Sequence, residues 1–500
     1  MKLSNILRNL NFKTNNNIDN IDNIDIKDIA YNSSKVKENY IFVALKGETV
    51  DGHKYVNNAY DNGARVFILE DDVNLPDDAM KIFVENTRKA LSKISDNYFG
   101  NPSKKLKIIG VTGTKGKTTI TNYISAVLNN SNINTGIIGT NGAFFNGHVE
   151  ETLNTTPESY ELHRIFKLML DSGVQCVSME VSSGGIMMDR VSDVDFDIGI
   201  FSNLSLDHVG PKEHPTFDHY MNCKSKLFKM CKHGIINIDD KYANNIIDNA
   251  TCTIETFSMY KNSDLKAIDT KYSCNIDSLG THFKYKNNEQ NVEVFISSPG
   301  EFSVYNALAV IGVCKYLNIE TSIMLEALKY AQVDGRLQVL NDLPYAKIMI
   351  DYAHNGDSLK NVLRALKQYK PNRLICLFGS VGGRTKLRRK ELGDIAAKEC
   401  DLCILTSDNP DFEDPMDIIN DISKSFIDTN CMHIKIPDRE EAIKRAMSIA
   451  REGDIILLAG KGHEKYQLIN GKKVTFDEAK IVKYEARKLL EKTKQLVEIC

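Results

Sequence analysis

The sequence predicts an α/β chain of three domains, each built of helices on a largely parallel sheet. Three observations predict it. From residue 106 onward apolar runs of strand length alternate with amphipathic stretches of helical spacing, as in a parallel sheet covered on both faces. A Gly-rich turn separates the first such run from the first such helix. At 500 residues the chain also exceeds what one hydrophobic core serves, and roughly 100 to 200 residues per domain gives about three.

The first domain is expected over 1–100. After a low-complexity Asn/Ile/Asp loop at 15–28, Tyr40 to Leu45 reads as a strand, Lys54 to Asn62 as a helix and Arg65 to Glu70 as a strand. Asn97-Tyr-Phe-Gly-Asn-Pro102 marks a linker. The second domain, 101–333, opens with the strand Leu106 to Thr112 and a helix whose apolar face is Ile120, Tyr123, Ile124, Val127 and Leu128. It has the pattern of a P-loop ATPase-like sheet, with a more irregular, β-rich insertion at 252–297. The third, 334–500, repeats the alternation with strands at 346–351, 373–379, 402–406 and 454–459, and reads as Rossmann-like.

Composition excludes several classes of function. A net charge of −3 without a basic patch argues against nucleic-acid binding. No apolar run approaches membrane-span length, no signal peptide is recognisable, and the eleven cysteines show no framework. The expectation is a cytoplasmic chain with reduced thiols, away from the membrane, with nothing demanding more than a monomer. Cys400-x-x-Cys403 straddles a helix end and a strand, and reads as packing because no second pair completes a zinc site.

The chemistry starts at Gly110-Val-Thr-Gly-Thr-Lys-Gly-Lys-Thr-Thr119, between the first strand and helix of the second domain. Backbone N–H groups at such a turn and at the helix N-terminus point at an anion. Gly113, Thr114, Lys115, Gly116, Lys117, Thr118 and Thr119 are therefore candidate ATP-binding residues, with Lys117 for the terminal phosphates and the Thr118 hydroxyl for Mg²⁺. The spacing departs from a strict Walker A loop, which would need Gly where Val111 stands. Polar residues also gather just past other strand ends, at Glu180 and Ser202-Asn203. Ligands of open α/β sheets bind there, so these positions should converge on the loop.

The chain resembles the Mur ligases, and among them the MurE type, the UDP-N-acetylmuramoyl-tripeptide synthetases. The anchors are Val36 to Gly63, the phosphate loop, Asn154-Thr-Thr-Pro157, Glu180-Val-Ser-Ser183, Asn203-Leu-Ser-Leu-Asp-His208, Asp351-Tyr-Ala-His354, Ser407-Asp-Asn-Pro410 and Gly460-Lys-Gly-His-Glu464. The resemblance implies an ATP-dependent ligase in peptidoglycan synthesis. Such enzymes transfer the γ-phosphate to the carboxylate of a UDP-muramyl dipeptide, and the amine of a free amino acid attacks the acyl phosphate.

Its residues follow by resemblance. Glu180 and His208 would hold a second Mg²⁺, with Thr118 on the nucleotide Mg²⁺. Lys224 would be the carbamylated lysine (N6-carboxylysine); only the resemblance chooses it over Lys226. The dipeptide would meet Asn154, Thr155, Thr156, Ser182 and Arg190, and the uridine nucleotide Ser33, where the usual Ser-Arg reads Ser33-Ser34. The rest of the ATP would meet Asn306, Arg336, His354 and Asn355, with Asp351 ranked lower. The amino acid would meet Arg389, Asp408, Asn409, Asp411, Gly460 and Glu464.

Three departures bear on specificity. Gly184 stands where His is usual, and the loop 209–215 is remodelled, with His214 read as solvent-facing. Most consequential, the motif Asp-Asn-Pro-Arg reads Asp408-Asn-Pro-Asp411. An Asp there would repel a distal carboxylate and attract an ammonium, which favours lysine, or a shorter diamino acid such as ornithine, over meso-diaminopimelate. Arg388 and Arg389 in a neighbouring loop weigh the other way. Related ligases with other acceptors, and a nucleotide-binding paralogue without ligation, are the alternative readings.

Overall fold

The computed structural model describes every residue except 15–17, 48, 49, 207, 208, 211, 212, 275–278, 288, 289, 384 and 500. The chain divides into two compact units, Met1–Lys266 with Leu308–Met324, and Ala267–Ala307 with Leu325–Cys500.

The first unit begins with a five-stranded sheet in the order Lys13–Thr14, Met80–Phe83, Val66–Leu69, Tyr40–Val43, Asp28–Ala30. Only the Lys13–Thr14 edge runs antiparallel to its neighbour. Val66 to Leu69 is buried throughout, as a central parallel strand with both faces covered must be. The expected helix at 54–62 is split, with a 3₁₀ turn over Gly52–Tyr55 leading into Val56–Asp61. The cause is local: Asp51 accepts the His53 N–H at 3.0 Å and starts the chain turning early.

The same unit contains a parallel sheet in the order Thr253–Ser258, Cys231–Asn237, Phe196–Phe201, Lys107–Thr112, Cys176–Glu180, Thr135–Gly139. An antiparallel hairpin, Gly142–Phe145 with His148–Glu150, extends it. Lys107–Thr112 lies central, so the loop that follows it sits among several strand ends. The helix Lys117–Asn130 packs Ile120, Tyr123, Ile124, Val127 and Leu128 into the core, each no more than 2% exposed. That is the face the apolar spacing foretold.

The β-rich insertion forms an antiparallel ladder of Leu265–Cys274, Leu279–Asn287 and Gln290–Ile296. In the second unit a six-stranded sheet runs Gln338–Leu340, Ala346–Asp351, Asp454–Ala459, Leu374–Phe378, Leu402–Leu405, Met432–Lys435. All but the first strand are parallel. Cys400 and Cys403 are buried there, with Cys431 Sγ 3.8 Å from Cys403 Sγ. Among the described residues no helix is long and apolar enough to cross a membrane.

Candidate active site

The phosphate loop is shaped by two glycines in the left-handed region, Gly113 at φ +147° and Gly116 at φ +90°. A Cβ on Gly113 would lie 2.0 Å from Ser202 Oγ, so no larger residue fits. The strand end at 201–203 braces the loop from the far side. Asn203 O accepts the Thr114 N–H at 2.9 Å, Asn203 Oδ1 accepts the Lys115 N–H at 2.9 Å, and Ser202 Oγ donates to Lys115 O at 2.7 Å. Asn203 is thus a positioning residue outside the expected site set; its place just past a strand end was the available signal.

Two lysines converge on one carbonyl. Lys117 Nζ donates to Gly113 O at 2.8 Å and to Thr114 O at 3.1 Å, and Lys224 Nζ donates to the same Gly113 O at 2.9 Å. Lys224 is 2% exposed and lies 4.6 Å over the Tyr220 ring. Tyr220 OH in turn is 3.1 Å from Thr114 Oγ1. Lys226, its competitor in the sequence, is exposed.

Glu180 ends its strand beneath the loop, 2% exposed. Thr118 Oγ1 donates to Glu180 Oε1 at 2.9 Å, as does the Thr140 N–H at 3.1 Å, and Thr140 Oγ1 donates to Oε2 at 3.3 Å. A Cβ on Gly139 would meet Oε1 at 2.4 Å, so that glycine makes room for the carboxylate. This hydroxyl and carboxylate form an all-oxygen donor set of the kind a hard divalent cation takes. His208, the third expected ligand, lies outside the described residues, and Thr119 is half-buried in the first turn of the helix.

Of the expected dipeptide residues, Thr156 and Ser182 stand next to Glu180. Thr156 Oγ1 donates to Glu180 O at 3.0 Å and accepts the Ser182 N–H at 2.9 Å, while Ser182 Oγ caps the helix Ser183–Met187 by accepting from Gly185 N. Thr155 Oγ1 is 3.1 Å from Thr140 Oγ1, and Asn154 is exposed. Arg190 is held by Thr156 O at 3.1 Å and by Glu158 at 3.4 Å. Ser33 opens a 3₁₀ turn capped by Asn32, and its carbonyl accepts from Asn62 Nδ2 at 2.9 Å. A Cβ on Gly184 meets nothing within 4 Å. His214, expected to face solvent, is instead 2% exposed, packed against Tyr220 with ring centroids 5.1 Å apart.

The second unit gathers a different cluster. Lys461, fully buried, donates to Asn409 Oδ1 at 2.7 Å and Glu464 Oε2 at 3.0 Å, and lies 3.7 Å from Asp408 Oδ1. Asn409 Nδ2 also donates to Glu464 Oε2 at 3.0 Å. Burial alone would raise the Glu464 carboxyl, but the Asn409 amide and the Lys461 ammonium hold it below its ordinary value. Lys461 was absent from the expected set although it stands in the Gly460-Lys-Gly-His-Glu464 motif. Gly460, at φ +109°, brings the backbone close to Asp408, where a Cβ would be 2.9 Å from Oδ2.

Arg336 stacks 4.6 Å over the Tyr352 ring, which packs against His354 and His463. Asn355 caps the helix Gly356–Lys367, Asn306 is buried in the helix Glu301–Tyr316, and Asp351 accepts the Leu337 and Ala353 N–H groups at 2.8 Å. Arg389, 2% exposed, donates to Glu413 at 2.6 Å and Asp421 at 3.1 Å. Asp411 sits at φ +52° and its Oδ1 accepts the Gly471 N–H at 2.7 Å, so its carboxylate closes the turn of the hairpin Tyr466–Ile469 with Lys472–Thr475.

Known protein families match three stretches of the chain. The Mur ligase catalytic domain matches residues 25–99, the Mur ligase middle domain 111–314 and the Mur ligase glutamate ligase domain 335–462. The UDP-N-acetylmuramoyl-L-alanyl-D-glutamate–2,6-diaminopimelate ligase of Clostridium perfringens is 42% identical over 492 residues, spanning 96% of this chain and 99% of that one. The chain belongs to the Mur ligase family, in its MurE type. The ligase of the same name from Caldanaerobacter subterraneus is 40% identical over 97% of this chain and 98% of its own. A solved structure with that name superposes with a TM-score of 0.74 at 28% identity, covering 98% and 99% of the two chains.

Membership makes this Mur ligase an ATP-dependent enzyme that forms C–N bonds, and its three-domain α/β fold is the family's. The preference for lysine expected from Asp411 finds no support in these relatives, whose names carry 2,6-diaminopimelate. The structure supplies a physical reason: Asp411 serves a hairpin turn.

Proposed function

We propose that the chain adds diaminopimelate to UDP-N-acetylmuramoyl-L-alanyl-D-glutamate through an acyl phosphate, in the cytoplasm, at the third position of the peptidoglycan stem. The observation that carries the chemistry is the convergence of Lys117 and Lys224 on Gly113 O above the Thr118–Glu180 pair. The Lys117 ammonium beside a turn of N–H donors attracts a polyphosphate and offsets the charge that builds as the γ-phosphoryl group moves to a carboxylate oxygen. Thr118 would hold the nucleotide Mg²⁺ and Glu180, with His208, a second one, and these ions would supply charge neutralisation. Lys224 is the carbamylation candidate, because it is buried and aimed at the loop.

Thr155, Thr156, Ser182 and Arg190 would orient the dipeptide, and Asn154 and Ser33 its more distant parts. Arg336, His354, Asn355 and Asn306 would serve the nucleotide. Glu464, kept ionised by Asn409 and Lys461, would take an ammonium of the incoming amino acid, with Asp408, Gly460 and Asn409 shaping its seat. Arg389 and Asp411 would act on this seat indirectly, through the loops they hold.

The amino acid is tested by competition. With ATP, Mg²⁺ and the muramyl dipeptide, an equimolar mixture of lysine and meso-diaminopimelate should yield mainly the diaminopimelate product by mass spectrometry. A lysine-dominated product would overturn the choice of substrate and leave the ligase reading standing.

A further inference from the structure

Next to the ligase corner the fold assembles a cluster of different chemistry. His219 and Cys223 stand four residues apart on the helix Phe217–Ser225, and so on one face. His214 reaches them from the preceding loop. Its Nδ1 lies 2.9 Å from His219 Nδ1, and Cys223 Sγ lies 3.9 Å from that same nitrogen. One ligand atom from each of the three falls within 4.8 Å of the others. His214 and Cys223 are each 2% exposed and His219 is half-buried, which shields the cluster while leaving an approach.

These separations bracket those of a tetrahedral ion. With metal–nitrogen bonds of about 2.0 Å and a metal–sulfur bond of about 2.3 Å, the ligand atoms stand roughly 3.3 and 3.6 Å apart. Small side-chain rotations would reach them. Two imidazoles and a thiol suit a borderline or soft ion, whereas the hydroxyl and carboxylate of Thr118 and Glu180 suit a hard one. The two donor sets therefore discriminate between metals.

We propose that His214, His219 and Cys223 form a binding site for a zinc-class transition-metal ion, separate from the magnesium site of ligation. The ion would take two nitrogens and the Cys223 thiolate, whose proton leaves to solvent, with water completing the tetrahedron. It would tie His214 to the helix that carries Tyr220 and Lys224. Because Tyr220 OH contacts Thr114 in the phosphate loop, the tie would act on the geometry of the loop's neighbours.

The test is a Co²⁺ titration of the full-length protein after chelation. The expected result is a thiolate-to-cobalt charge-transfer band and visible tetrahedral bands that saturate at one ion per chain and bleach on adding Zn²⁺. Cys223→Ser should remove the charge-transfer band, and His219→Ala, at a half-buried position, should weaken binding at least tenfold. Cys231→Ser and Cys403→Ser, which alter thiols in other clusters, should leave the band intact. No band in the wild-type protein, a band that survives Cys223→Ser, or wild-type affinity in His219→Ala would each overturn the proposal, leaving His214 and His219 as a hydrogen-bonded pair of the core.

Discussion

The phosphate-loop corner of the first unit and the charged cluster of the second set their cations on different kinds of group. In the loop corner Lys117 and Lys224 both donate to the backbone carbonyl of Gly113, at the turn that follows a strand end. In the second unit Arg389 is bound to Glu413 and Asp421, and Lys461 to Asp408 and Glu464. A lysine on the backbone of an anion-binding turn stands where a phosphate would lie, whereas cations paired to carboxylates hold loops in shape. An arginine in a substrate-binding stretch therefore cannot be assigned to substrate before its partners are known.

The largest effect should come from breaking the first region. Lys117→Ala and Lys224→Ala should each lower kcat on the order of a hundredfold or more, because positioned charge at a transferring phosphoryl group is the main catalytic term. Lys226→Ala, removing an exposed lysine two residues on, should leave kcat near wild type. Steady-state kinetics with thermal melts on the same samples would separate lost chemistry from lost fold.

In the second region the same operation should act on stability. Arg389→Ala leaves two carboxylates facing a vacated buried space and should cost about 3 kcal/mol in denaturant unfolding. The pH dependence carries the sign of the pairing. The hydrogen bond from Arg389 holds the Glu413 carboxyl below its ordinary 4.5, and those from Lys424 and Arg389 hold Asp421 below 3.8. A lowered folded value gives stability that is present above the ordinary value and lost as pH falls through the folded one. Wild-type stability should therefore drop more steeply below about pH 4.5 than that of Arg389→Ala.

The smallest effect is expected at Gly184. Its Cβ direction is open, so Gly184→His should change stability by less than about 1 kcal/mol. Its kinetic effect would show whether the space beside Ser182 matters to the acceptor.

What the sequence revealed and what it hid follow from the range of the interactions. The strands Ala346–Asp351 and Asp454–Ala459 were legible because their apolar runs are continuous, and the loop was legible because its glycines and Lys117 lie together. Glu180 was legible as a strand end. The role of Asp411 was hidden because it depends on a positive φ and on Gly471, sixty residues away. Arg389 was hidden likewise, since its partners Glu413 and Asp421 lie 24 and 32 residues on. The burial of His214 follows from packing against Tyr220, which nothing in the loop's own sequence announces.

The corner formed by Lys117, Thr118, Glu180 and Lys224 is proposed to activate a carboxylate with ATP. The most direct measurement is phosphate release from ATP and Mg²⁺ with the UDP-muramyl dipeptide, with and without an amino acid. Release should depend on both the dipeptide and a diamino acid, and should be lost in Glu180→Gln. Release independent of the dipeptide, or full release in Glu180→Gln, would contradict it.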